Sequence, residues 1–179
     1  YDNTDFADTN MVESLLAAKR EFDEDTIVSY SDILFEEGML RGMMDREEDF
    51  VVAVDENWQE YWQARYGKVD FDTESLSLDG DDKIVELGVE APKLEDSDAG
   101  YRGVLKFSKK ATEKIVEIHD RDYEAYQDRP WKQSGKTIRK AYMTDLLQAV
   151  IESGNHVKAA RFRNGWIEFD TNEDYETAV

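Results

Sequence analysis

The chain has 179 residues, of which 42 are acidic and 22 basic, for a formal net charge of -20, and it has no cysteine. That length can bury one sizeable core, and 40% apolar content with four Trp, nine Tyr and eight Phe argues for a folded domain. The charge argues against nucleic-acid or anionic-membrane binding, which need clustered basic residues. The missing cysteine excludes disulfides and thiolate metal sites. No apolar run approaches the roughly 18 residues of a membrane span, and no signal-peptide pattern opens the chain, so a cytoplasmic protein is expected.

Taken in chain order, "TNMVESLLAAKREF" (9–22) repeats apolar residues at helical spacing, with Thr9 or Asn10 as its cap. In the following "DEDTIVSYSDILF", residues 26–30 read as a buried strand that ends at Ser31 and Asp32. A short helix over 37–46 leads to "DFVVAVDE", whose unbroken apolar run suits a strand covered on both faces, as in a parallel sheet. "DTESLSLDGDDKIVELGVE" alternates around the hairpin signal Asp79-Gly80, and "GYRGVLKFS" returns to strand character. A helix then begins near Ser108. "MTDLLQAVIESG" forms another, capped by Thr144 or Asp145 and stopped by Gly154. The last strands, "HVKAARF" and "GWIEF", flank a turn at Asn164-Gly165. Helices alternating with strands predict a single α/β domain.

The ending "GWIEFDTNEDYETAV" places Glu168 and Asp170 on one face of a short strand, followed by a helix capped by Thr171 or Asn172 with Glu173 and Asp174 in its first turn. Asp170 therefore closes a strand beside a helix N-terminus, and this also reads as a simple capping arrangement. Asp32 closes another strand in the same manner. If the two strands are neighbours, two carboxylates converge at one rim, a set that suits Mg²⁺, which takes one or two carboxylates plus phosphate oxygens and waters. The other signals are less specific. His119 and His156 have no partners at ligand spacing, Asp120-Arg121-Asp122 reads as helix-end charge, and "DGDD" (79–82) reads as a turn.

Five segments, "TIVSYSDILF", "VDENWQEYWQARYG", "YRGVLKFS", "YMTDLLQAVIESG" and "GWIEFDTNEDYE", occur in the order found in nucleotidyltransferases that activate phosphocholine, phosphonates and sugar phosphates. The chain resembles that family over essentially its whole length. The resemblance implies a Rossmann-like α/β nucleotidyltransferase domain with a mixed sheet. Asp32 and Asp170 match the family's two metal-binding aspartates, and Glu168 and Tyr101 fall where the acceptor is contacted. Where the family often has Glu or Gln before that Tyr, this chain has Gly100. The family's Gly-rich loop has no counterpart: the ten glycines include no Gly-x-Gly, and Pro92-Lys93 lies in mid-chain.

The expectation is thus a single domain over 1–179, lacking the family's first strand and triphosphate loop. By resemblance it uses Mg²⁺ and CTP and transfers a nucleotidyl group to a small phosphate or phosphonate acceptor such as phosphocholine or a sugar phosphate. Without the loop, the chain alone is expected to be inactive. The rival reading is a noncatalytic acceptor-binding module that forms a homodimer through an open strand edge.

Overall fold

A computed structural model describes residues 1–71, 73–90, 93 and 97–178, the last two as backbone, so that Pro92 lies outside the described residues. At its centre is β3 (Phe50–Asp55), all six residues of which are buried. The β-branched Val51, Val52 and Val54 suit an extended strand with no face to solvent. It pairs in parallel with β7 (Val157–Phe162) and antiparallel with β6 (Gly100–Phe107). β1 (Thr26–Ser29) adds to the outside of β6. β5 (Lys83–Glu90) joins β7 and carries β4 (Glu74–Leu78), giving the order β1-β6-β3-β7-β5-β4. The hairpin predicted at Asp79-Gly80 links β4 to β5, with Asp79 N donating to Lys83 O at 2.9 Å. The fold is α/β with a mixed sheet.

Side chains alternate across β3 and so divide the core. Phe50, Val52 and Val54 enter one cluster with Leu16 of α1 (Met11–Ala17), Ile115 and Ile118 of α4 (Lys109–Asp122), and Leu146 of α5 (Met143–Glu152). Val51 and Ala53 enter the other with Met39 and Met43 of α2 (Glu37–Met44) and Trp58 and Trp62 of α3 (Trp58–Tyr66). This second face also holds a separate two-stranded ladder of β2 (Ile33–Phe35) and β8 (Trp166–Glu168), from which Trp166 joins the cluster. α6 (Asn172–Ala178) follows β8.

Three local expectations shift. The first helix stops at Ala17 and tightens into a 3-10 turn over Lys19–Glu21, a common helix ending. α5 is capped by Tyr142 rather than Thr144 or Asp145. Asp145 instead reaches back from the first turn, its Oδ2 accepting from Tyr142 N at 2.9 Å. The strand before Asp32 is not buried: β1 alternates half-buried and exposed residues, Ile27 is 36% exposed, and among the described residues only β6 pairs with it. The turn at Asn164-Gly165 has positive φ at both residues, 61° and 80°, yet β8 turns away from β7 to pair with β2.

That departure positions the rim. The register pairs Ile33 with Glu168, and one step further Phe169 N donates to Asp32 O at 2.9 Å. Gly103 of β6 is packed closely by the ring of Tyr30, whose atoms occupy the space a Cβ would need. Gly103→Ala is therefore expected to cost about 1–3 kcal/mol by overpacking, read as a lower urea midpoint. A loss below about 0.5 kcal/mol would mean that Tyr30 moves aside freely.

Candidate functional site

β1 stops short of its neighbour. Its ladder with β6 ends at Ser29 opposite Val104, and Tyr30 N donates to Gly103 O at 2.9 Å, so residues 100–102 run on beyond it. A cavity of about 520 Å³ opens there, walled by Tyr30, Trp58, Trp62, Tyr101, Arg102 and Glu168. That volume suits a small-molecule ligand. The hydroxyls of Tyr30 and Tyr101 lie 3.1 Å apart, with their rings edge to face. Burial pushes both phenols above their ordinary range, so each stays protonated and can donate or accept a hydrogen bond at neutral pH. At the mouth, Glu74 and Glu90 are directly opposite partners in the β4–β5 ladder.

Three acids at the carboxyl end of the chain are gathered by one cation. Arg65 of α3, its side chain 3% exposed, binds Glu168 at 2.7 Å, Asp170 at 2.8 Å and Asp174 at 2.6 Å. Its guanidinium also lies 4.7 Å from the ring centre of Tyr66. Arg65 holds the Asp174 carboxyl far below the usual range, and backbone donors from Thr171 and Asp170 add to this. Thr171 Oγ1 accepts from Asp174 N at 3.3 Å while Asp174 Oδ2 accepts from Thr171 N at 2.8 Å, the reciprocal cap that the sequence suggests. Glu168 goes the other way: burial raises its carboxyl, Arg65 opposes this, and the charge of Asp170 adds to the rise. Tyr61 OH fixes the Glu168 backbone, accepting from its N at 3.1 Å.

Of the residues singled out by sequence, Asp32, Glu168 and Asp170 share the backbone at the end of the β2–β8 ladder, where Asp32 lies opposite Phe169, while Tyr101 sits in the cavity wall. Asp32 keeps a buried Oδ1 without a hydrogen-bond partner. Asp170 is partly open, its side chain 44% exposed beside its bond to Arg65. Among the described residues no group of three or more acids or histidines is placed to hold a metal ion. The unpartnered oxygen of Asp32 and the partly open carboxylate of Asp170 are hard oxygen donors of the kind Mg²⁺ takes alongside phosphate and water. His119 is committed elsewhere, Nε2 lying 3.0 Å from Glu13, and Asp122 holds Trp131 at 3.0 Å.

Sequence reasoning missed two further residues. Asp55, fully buried at the end of β3, accepts from Trp166 Nε1 at 2.9 Å and from Asn57 N at 2.9 Å. Arg102 is 6% exposed, with its guanidinium 3.9 Å from the ring centre of Trp166 and 4.7 Å from that of Trp62. Burial pulls this guanidinium down to about 10, against the charges of Asp55 and Glu168, so it remains a cation at neutral pH. An acid ending an all-apolar strand and a basic residue in the middle of an apolar one were the available signals.

No protein-family model matches the chain. A CTP:phosphoglutamine cytidylyltransferase from Campylobacter jejuni is 29% identical over 183 residues, which cover 99% of this chain and 70% of that protein. The inositol-1-phosphate CTP transferase from T. maritima superposes with a TM-score of 0.67 at 17% identity, over 98% of this chain and 63% of that one. The CTP:phosphocholine cytidylyltransferase from Streptococcus pneumoniae gives 0.66 at 20% identity, over 98% and 65%. This is the nucleotidyltransferase fold. The homologue and these structural neighbours are nucleotidyltransferases, the family the sequence resembles. The chain spans somewhat under two thirds of the length of these two nucleotidyltransferase structures.

The Arg65 cluster generates a test. Asp174 has a depressed carboxyl in the folded state, so its contribution to stability is present above the ordinary value of 3.8 and is lost as pH falls below it. Asp174→Asn should cost roughly 1.5–3 kcal/mol at pH 7, the range for hydrogen bonds to charged groups, and flatten the acid side of the stability profile. Urea midpoints from pH 7 down to 3 measure both. An unchanged acid limb would show that Asp174 does not anchor α6.

Proposed function

We propose that this chain carries the acceptor- and metal-binding part of a Mg²⁺-dependent cytidylyltransferase that uses CTP and a small phosphorylated acceptor. What supports this reading is the end of the β2–β8 ladder, where Asp32 lies opposite Phe169 between Glu168 and Asp170 and Glu168 lines the cavity, within a chain aligned along 99% of its length to a CTP-using relative. In the proposed reaction, a phosphate oxygen of the acceptor attacks the α-phosphorus of CTP, the α–β bridging bond breaks, and pyrophosphate leaves. Asp32 and Asp170 would hold the metal. Bound there, Mg²⁺ supplies charge neutralisation and orientation of the phosphates. Tyr101 and Glu168 would orient the acceptor, the phenol through a hydrogen bond and Glu168 as a carboxylate fixed by Arg65. Catalysis of this kind needs positioning and electrostatics and no covalent intermediate.

Two measurements test the reading. Mn²⁺, used as a paramagnetic stand-in, should bind saturably, and Asp32→Asn should weaken it at least about tenfold, the size expected when a charge-assisted contact is lost. Equal binding by Asp32→Asn would remove Asp32 from the metal site. The chain alone, with no Gly-x-Gly among its ten glycines, should release pyrophosphate from CTP and phosphocholine at near background. Losing even one preorganised donor can cost roughly 10²–10³ in rate. Robust turnover would mean that other residues here cradle the triphosphate.

The edge of β1 favours a second, noncatalytic role in assembly. A strand with one side unpaired among the described residues and an exposed Ile27 is a template for another strand, and two identical edges are self-complementary. Light scattering across a concentration series would show a homodimer on this reading, and a monomer throughout would exclude it.

A further inference from the structure

Among the described residues, the buried polar side-chain atoms that lack a partner gather in one place. They are Oδ1 of Asp32, Oγ1 of Thr73, and Nε and Nη2 of Arg102. Thr73 and Arg102 line the cavity, and Asp32 directly precedes Ile33, another residue of its wall. Native folds pair nearly all such groups, and the exceptions call for a bound partner or a functional role. Thr73 and Arg102 are only 8% and 6% exposed, so leaving them unpaired is costly. A ligand in the cavity can supply what both lack.

The geometry of Arg102 narrows the ligand. Nη1 donates to the carbonyl of Tyr101, and the guanidinium lies 3.9 Å from the ring centre of Trp166 and 4.7 Å from that of Trp62. These contacts fix its plane and leave Nε and Nη2, two parallel donors along one edge, a fork that fits two oxygens of an oxyanion. Trp62 Nε1 donates to Phe71 O at 2.7 Å, which ties the stretch leading to Thr73 to one of the same rings. The Thr73 hydroxyl can donate to a third oxygen. A phosphate monoester has three terminal oxygens, a carboxylate only two. Two acids of the wall are engaged elsewhere: Glu168 is bound to Arg65 at 2.7 Å, and Glu74 accepts from Thr144 Oγ1 at 3.3 Å.

Resting on the cytidylyltransferase reading, we propose that Arg102 and Thr73 form the subsite that holds the phosphate of the acceptor. Arg102 binds two terminal oxygens through Nε and Nη2, and Thr73 donates to the third. An oxygen that accepts one hydrogen bond keeps lone pairs for attack, so the subsite orients the nucleophile without consuming it. The guanidinium offsets the charge of the dianion as it meets the nucleotide, and Asp32 and Asp170 are left to the metal.

Small probes isolate the phosphate. Methyl phosphate is a dianion with three terminal oxygens at mildly alkaline pH, whereas dimethyl phosphate and acetate offer two oxygens and a single charge. Dissociation constants are measured by calorimetry on the whole chain. Methyl phosphate should bind at least about tenfold more tightly than either of the others. Arg102→Met should weaken it at least about tenfold, and Thr73→Val about threefold. Methyl phosphate should also raise the urea midpoint of the unaltered chain but not that of Arg102→Met, a shift that a purely structural arginine does not produce. Equal affinities for the three probes, or methyl phosphate binding that survives Arg102→Met, would overturn the assignment. A Thr73→Val chain that binds methyl phosphate as tightly as the unaltered one would overturn it equally. The ranking of probes on the unaltered chain and the Thr73→Val result decide the matter even if Arg102→Met does not fold. Mn²⁺ binding at Asp32 is scored separately. Phosphate selectivity without it sinks only the cytidylyltransferase reading, and Mn²⁺ binding without the selectivity sinks only the subsite.

Discussion

One guanidinium organises the segment that joins β8 to α6. The segment from Glu168 to Asp174 brings four acids within seven residues, in a chain already at -20. Packed together without a counter-ion, these would repel one another out of the fold. Arg65, buried on α3, answers three of them and so fixes the end of β8, the following turn and the start of α6 to a single side chain. Burying a charge is costly unless it is paired, so the dependence is mutual: the acids need Arg65, and Arg65 needs the acids to be buried at low cost. Glu168 is consequently held in the cavity wall with one defined orientation, while Asp170 keeps part of its surface open to the rim.

The interior carries cations as well as the buried acids Asp55 and Asp174. The surface is acidic, yet on the second face of the sheet the buried charges include Arg65, Arg102 and Lys106, whose Nζ donates to Arg46 O at 2.6 Å. Anions approaching from a distance are repelled, although salt screens that repulsion within roughly 8–10 Å. On the proposed reading, recognition of an anionic group would be left to short-range contacts inside the cavity, where low dielectric strengthens each of them. Such a site discriminates by fit rather than by steering.

What could be read from sequence follows the range of the interactions involved. The buried strand β3 was legible because its apolar run needs no partner to be recognised. Ser108, Thr171 and Asp174 were legible because capping is settled within a few residues. The state of β1 was not: "TIVSY" has the composition of an interior strand, and only its place in the order makes it an edge. Arg65 and Asp174 lie 109 positions apart, and Asp55 and Trp166 lie 111 apart. No local pattern announces such pairs. The candidate acids were therefore visible as isolated strand-end carboxylates, while the cation that orients two of them was not.

The Gly100 departure from the family pattern acquires a physical cause at the same place. A Cβ at Gly100 would lie 2.5 Å from Arg102 Nη2 and 2.6 Å from Trp58 Cβ. Positions 100 and 102 fall on the same face of β6, two residues apart, as strand geometry requires. The guanidinium thus fills the space that a side chain at 100 would take, and Trp58 of α3 closes over the notch. A long polar residue at 100 and an arginine at 102 cannot both be accommodated without moving α3. In this chain the hydrogen-bonding capacity has passed from an amide or acid, which would accept, to a cation that only donates. A glycine that looks like a loss in the sequence is what lets the wall of the cavity carry positive charge.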